Sequence, residues 1–169
     1  MDASRGFAPI ESGDARLLVL GSLPGQKSLS DQQYYAHPQN AFWPIMRELF
    51  GVDGSYEERC EGLVANRVAL WDVLQASVRP GSLDADIRQD TALVNDFETF
   101  LGTHVKIELI AFNGKKAEQL FHRMASLTCI DHLRLVGLPS TSPAFATMSY
   151  AGKLDAWRTG LAPVSQVDD

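Results

Sequence analysis

Gly21, Gly25, Lys27 and Ser28 lie in the stretch GSLPGQKS, directly behind the apolar run ARLLVL, a place and a composition that could hold a phosphate. The stretch departs from the nucleotide-binding pattern G-x-x-x-x-G-K-[ST] at one position, where Gln26 replaces the second glycine. VALWD, ending at Asp72, adds a strand closed by an aspartate, the arrangement that holds magnesium in nucleotide hydrolases. Two features weigh against that chemistry. A phosphate loop opens a helix whose free N–H groups converge on the anion, whereas LSDQQYYAHPQN is polar, lacks an apolar 3.6-residue period, and is read as having no such helix. Gln26 also brings a Cβ to a sharp bend.

Other polar groups share this pattern of following an apolar run. Tyr34 and Tyr35 could stack on a flat ring, the stretch from Asn113 to Lys116 (NGKK) opens a helix that could hold a phosphate, and PSTSP offers the hydroxyls of Ser140, Thr141 and Ser142. A pocket for a flat polar ring with phosphates nearby is the common denominator. His37, His104, His122 and His132 are scattered, and neither an H-E-x-x-H motif nor a Cys/His array occurs, so no metal is expected. Ser22 lies in no G-x-S-x-G element and has no evident paired histidine, against a serine hydrolase.

These groups are positioned by four short, nearly continuous apolar runs, 16–21, 67–73, 106–113 and 133–139, which read as strands buried on both faces. Helical spacing lies between them. NAFWPIMRELFG ends at Gly51, SYEERCEGLV is a second helix, DTALVNDFETFLG is read as capped by Asp90 and stopped at Gly102, and GKKAEQLFHRMAS and SYAGKLDAWRTGL follow the last two strands. Helices between successive strands predict an α/β fold, a three-layer α/β/α sandwich around a central, mainly parallel four-stranded sheet. Ligands of such sheets bind beyond the carboxyl ends of the strands.

The 169 residues suit one domain, with about 1–14 and 163–169 read as loose termini. An apolar share of 45% with 21% charged residues fits a soluble globular chain. No run approaches a membrane span and the first sixteen residues lack a basic region followed by an apolar stretch, so a cytoplasmic monomer is expected, at the nucleoid if the cell is bacterial. Cys60 and Cys129 are read as buried small hydrophobes. The balance of 15 basic and 21 acidic residues, net -6, disfavours a nucleic-acid partner unless a local face supplies the donors.

GSLPG after the first strand, YYAHPQNAFW at 34–43, WDV with RPGSLD at 71–84, FNGKKA at 112–117 and LPSTSPAFATMSY at 138–150 resemble the uracil-DNA glycosylase superfamily, and within it the DNA-deoxyinosine (hypoxanthine-DNA) glycosylase branch. The resemblance runs through most of the chain in the expected order. It implies DNA carrying a deaminated base as partner, and base flipping followed by hydrolysis of the N-glycosidic bond without cofactor.

Mismatch-specific members carry an Asn in the first motif where this chain has Leu23, which can neither donate nor accept a hydrogen bond. The hypoxanthine branch instead implies Asn40 of the His-Pro-x-Asn element as the catalytic amide; its bland role would be helix capping. Ser22, Leu23, Pro24, Gly25, Tyr35, Asp72 and Asn113 are implied to line the base pocket. Tyr35 would stack on the base and Asp72 would accept the N1–H of hypoxanthine or, otherwise, pair with Arg79 or Arg88. Lys115, Lys116, Ser140, Thr141 and Ser142 are implied to contact phosphates, and Phe145 to wedge into the space left by the flipped nucleotide. Gly21 and Gly25 would let the backbone approach, with Lys27 outside the pocket. Lys27, Lys115 and Lys116 sit in polar surroundings that do not activate an amine, so a monofunctional enzyme is expected, without strand cleavage. Two alternatives stay open: a non-catalytic damaged-DNA sensor on the same scaffold, motivated by Leu23, and a nucleotide-hydrolysing domain.

Overall fold

LLVLG, VALWD, LIAFN and RLVGL are rich in branched apolar side chains, and each folds as a strand of one parallel sheet. The computed structural model describes residues 3–127 and 130–165. In chain order the elements are β1 (Ser4–Arg5), β2 (Leu17–Gly21), α1 (Gln26–Asp31), α2 (Phe42–Phe50), α3 (Tyr56–Ala65), β3 (Val68–Asp72), β4 (Leu74–Val78), β5 (Arg88–Val94), α4 (Phe97–Thr103), β6 (Leu109–Asn113), α5 (Lys115–Met124), β7 (Arg134–Leu138) and α6 (Tyr150–Ser165).

The four-stranded sheet runs β3-β2-β6-β7, all parallel, in a register that pairs Gly21 with Asp72 and Asn113 with Leu138. The carboxyl ends of all four strands therefore lie at one edge, where the sequence places its chemistry. Alternation along β2 sends Leu17 and Val19 into one core with Phe42, Ile45, Leu63 and Trp157, and Leu18 and Leu20 into the other with Phe97, Phe100, Leu120 and Phe121. Helices α2, α3 and α6 thus cover one face and α4 and α5 the other, the expected three layers. Full burial of one such Leu or Phe is worth about 1.5–3 kcal/mol, so each face contributes substantially to stability.

Helix ends carry their local signals. Ser55 and Glu58 form a reciprocal capping box on α3, and Pro44 stands in the first turn of α2, where its missing N–H costs nothing.

Several expectations are corrected. A second sheet, antiparallel in the order β1-β4-β5, was not expected, and amino-terminal residues read as loose are held by the two sheets: Ser4 and Arg5 pair with β4 of the antiparallel one, and Ile10 bridges Leu70 of β3 in the parallel one. Residues 88–94 belong to this sheet and not to the following helix, because Thr91 bonds across to Ser77 and Val78. Helix α4 therefore starts later, capped by Asp96 through Thr99 N and not by Asp90. Residues 163–165 continue α6. Finally, a helix does follow the GSLPG loop. Six-residue α1 has no apolar face to announce it; Gly25 opens it and Ser28, buried in its middle, fixes Ala36 N. Cys60 is half-buried against the core, and Cys129 lies outside the described residues.

Candidate active site

A cavity of about 1050 Å³ opens at the carboxyl ends of the parallel strands. Of the residues singled out from the sequence, it brings together Ser22, Leu23, Pro24, Gly25, Tyr35, Asn40, Asp72, Asn113, Lys115, Lys116, Ser140, Ser142 and Phe145. Thr141 is not among them: it is 1% exposed, with both its amide and its hydroxyl engaged by Asn113, so it cannot reach a phosphate. Lys27 lines the cavity, contrary to expectation, and pairs with Asp31 at 3.2 Å along α1.

Gly21 sets the floor. A Cβ there would stand 2.6 Å from Asp72 Oδ1 and 2.7 Å from Tyr35 Oη, so only glycine lets these two oxygens approach the strand. A Cβ at Gly25 would meet nothing closer than Ser82 at 3.4 Å, an ordinary contact, so close approach is a property of Gly21 and not of Gly25. Tyr35 adopts φ 54°, a left-handed conformation that costs a tyrosine energy and is typical of functional loops. One face of its ring stacks on Phe42 with centroids 4.3 Å apart.

Asp72 is 4% exposed and its Oδ2 is buried without a hydrogen-bond partner, as is the Tyr35 hydroxyl. Burial raises the Asp72 pKa to about 7, opposed by Arg79 and assisted by Asp84. The same burial, with Asp72 nearby and Asn113 opposing, pushes the Tyr35 phenol far above its ordinary range and favours the neutral hydroxyl. The ion pair weighed for Asp72 is absent among the described contacts. Arg79 turns instead to Asp84, Nη1 to Oδ1 3.8 Å, and donates to the carbonyls of Leu23 and Pro24. Asp84 in turn accepts from Ser22 Oγ at 2.5 Å. A buried guanidinium thus pins the GSLPG loop, a role that sequence reading missed because Arg79 was weighed only as a partner of Asp72.

Asn40 is half-buried at the entry of α2, where its Oδ1 accepts from Phe42 N at 2.9 Å. Its capping role is therefore present. That bond occupies one lone pair of the oxygen, and no described residue accepts from its Nδ2, so the amide keeps capacity for a water. His37 holds the loop, its Nδ1 accepting from Gln39 N and its carbonyl from Asn40 N.

Lys115 and Lys116 open α5 behind Gly114, whose φ of 98° only glycine adopts comfortably. Lys153 was not foreseen. It is 5% exposed, donates from Nζ to Ser142 O at 3.0 Å and stands 5.3 Å from the Phe145 ring, and burial lowers its pKa. No group of acidic, His or Cys residues that could hold a metal occurs among the described residues, and no described helix is long and apolar enough to cross a membrane.

The comparisons with known proteins bear on this geometry. A family model described as the uracil DNA glycosylase superfamily matches residues 9–160. A Methanosarcina acetivorans protein named hypoxanthine DNA glycosylase is 38% identical over 146 residues, 83% of this chain and 87% of its own. One of the same name from Methanosarcina barkeri is 37% identical over 116 residues, 67% of this chain and 72% of its own. The solution NMR structure of a candidate uracil DNA glycosylase from Methanosarcina acetivorans superposes with a TM-score of 0.78 at 33% identity, covering 98% of this chain and 100% of that one.

Proposed function

The chain belongs to the uracil DNA glycosylase superfamily, and from that premise we propose that it is a DNA glycosylase that takes hypoxanthine out of the helix and hydrolyses its N-glycosidic bond, the first step of base-excision repair. The observation that carries the reading is the pair of buried, unpartnered oxygens, Asp72 Oδ2 and Tyr35 Oη, at the floor of a cavity open at the strand ends. Buried polar atoms without protein partners are costly, and a bound base supplies the missing partners. The relatives named hypoxanthine DNA glycosylase support hypoxanthine as that base.

In this reading the extruded base stacks on the face of Tyr35 turned away from Phe42, and Asp72 as a carboxylate accepts its N1–H. Ser22, Leu23, Pro24, Gly25 and Asn113 enclose the ring. The bond between C1′ and the base nitrogen breaks with its electron pair leaving on the base, through an oxocarbenium-like state. Asn40 orients the attacking water with its amide; the water oxygen bonds to C1′ and its proton ends on the departing base. Lys115, Lys116, Ser140 and Ser142 hold the flanking phosphates, which gives salt-dependent affinity despite the net charge of -6. Of the lysines that line the cavity, Lys27 is paired with Asp31 and Lys115 and Lys116 serve the phosphates, while Lys153 lies outside it; no Schiff base forms in this reading, and the product is an intact strand with an abasic site. Deoxyuridine and deoxyxanthosine are weaker substrates, and cytoplasmic DNA is where the enzyme meets them.

The test is incubation with duplex oligonucleotides carrying one deoxyinosine, deoxyuridine or deoxyxanthosine, followed by alkali. Alkali-dependent cleavage fastest at deoxyinosine is expected. Cleavage confined to deoxyuridine would reject hypoxanthine as the preferred base, and binding without cleavage at any base would reject the enzyme.

A further inference from the structure

Leu83 is 52% exposed and lines the same cavity as Phe145, yet it stands on a different loop, between β4 and β5. We infer that Leu83 packs into the DNA base stack beside the extruded nucleotide, so that two loops hold the opened duplex. The inference rests on the glycosylase reading and adds a contact to it.

A lone exposed leucine is ordinary on a protein surface. This one differs in how its neighbours are held. Ser82 Oγ accepts from Gln26 N at 2.9 Å, and Asp84 accepts from Ser22 Oγ at 2.5 Å. Both flanking side chains are therefore fastened to the wall of the base pocket. Behind them Arg79, its side chain buried, ties the loop to the carbonyls of Leu23 and Pro24 and to Asp84. The carbonyl of Leu83 accepts from Asp86 N at 3.0 Å and closes a tight turn. The loop is held to the pocket wall on both sides of Leu83, while the leucine is left in water at the rim through which a base must pass.

Phe145 is less free. Its ring is half-buried, its amide bonds Ser142 O, and Lys153 lies against it at 5.3 Å. A duplex from which one nucleotide has been extruded exposes apolar base faces, and leucine, with no polar atom to satisfy, is among the side chains that fill such gaps. Single strands have no stack to hold open, and this separates the role from simple pocket lining.

The experiment compares single-turnover base release from deoxyinosine in a duplex and in a single strand of the same sequence, for wild type, Leu83→Ala and Leu83→Met. Leu83→Ala is expected to lose about tenfold on the duplex and nothing on the single strand, with Leu83→Met near wild type. Equal loss on both substrates, or none on the duplex, would overturn the contact. A wild type that releases no base would sink the glycosylase reading instead. Leu83 is then judged by affinity for the deoxyinosine duplex, where equal binding by wild type and Leu83→Ala would overturn the contact.

Discussion

Asn113 and Thr141 hold each other by two hydrogen bonds of 2.9 Å, Asn113 Nδ2 donating to Thr141 Oγ1 and Asn113 Oδ1 accepting from Thr141 N. The pair joins the end of β6 to the loop after β7. The Thr141 carbonyl then accepts from Ala41 N at 3.0 Å, the amide next to Asn40. The candidate catalytic amide is thus positioned by a relay that begins at a strand end.

Asn113→Ala breaks both bonds and leaves the Thr141 amide buried and unpaired, which should cost about 2–3 kcal/mol. Urea denaturation reads this as a lower midpoint at unchanged slope. Asn113→Asp, which keeps the acceptor for Thr141 N, should retain more of the stability; equal loss in both variants would refute the relay.

Gly21→Ala places a methyl between the Asp72 and Tyr35 oxygens, which cannot both withdraw from so buried a site. Base release should fall by about tenfold or more, as expected when reacting groups are displaced by about 1 Å. A variant as active as wild type would show that this floor does not hold the base.

Asp72 carries the pH dependence. Its pKa in the folded chain is about 7, against about 3.9 for an exposed aspartate, so the folded state binds the extra proton between those values. Stability from this group is complete below about pH 4 and is lost as pH rises through about 7. Asp72→Asn cannot ionise, so its thermal midpoint should fall less than that of wild type between pH 5.5 and 8.5. Because an amide oxygen still accepts N1–H, the variant should also keep base release but lose the rise in rate near pH 7 that wild type shows. Parallel pH profiles for the two proteins would contradict both expectations.

Lys153→Met keeps the length of the side chain and removes its cation from Ser142 O and the Phe145 ring. The loop after β7 then loses the support that α6 gives it through Lys153, while its bonds to Asn113 and Trp157 remain. Affinity for duplex should weaken about threefold to tenfold, in keeping with the loss of one charged hydrogen bond, while kcat at saturating DNA stays near wild type. A fall in kcat without a change in affinity would place Lys153 in the chemistry.

The parallel sheet was legible because buried strands such as LLVLG and LIAFN are continuous apolar runs, a signal that owes little to context. The antiparallel sheet was not. In β5, RQDTALV presents half-buried Ala92 and Val94 and an exposed Leu93, a pattern that fits a helix as well as a strand, and its pairing with β4 is a long-range fact. Helix α1 escaped for a related reason: it is short and polar, and is stabilised by Gly25, Ser28 and Gln32 through backbone bonds and not through an apolar face. At the site, residue types at strand ends marked Asp72 and Asn113, while Asn40, at the entry of α2, was marked by the family resemblance. They could not show that Thr141 is buried by its bonds to Asn113, or that Arg79, distant in sequence, reaches the GSLPG loop.

The most direct measurement is of free base released from a deoxyinosine duplex, separated by chromatography, for wild type and Asn40→Ala, with duplex affinity measured in parallel. Wild type should release hypoxanthine, and Asn40→Ala should fall by about a hundredfold or more while binding with similar affinity, losing also about 1 kcal/mol of helix capping. Release by Asn40→Ala at the wild-type rate would contradict its place in the chemistry, and no hypoxanthine from wild type would contradict the function.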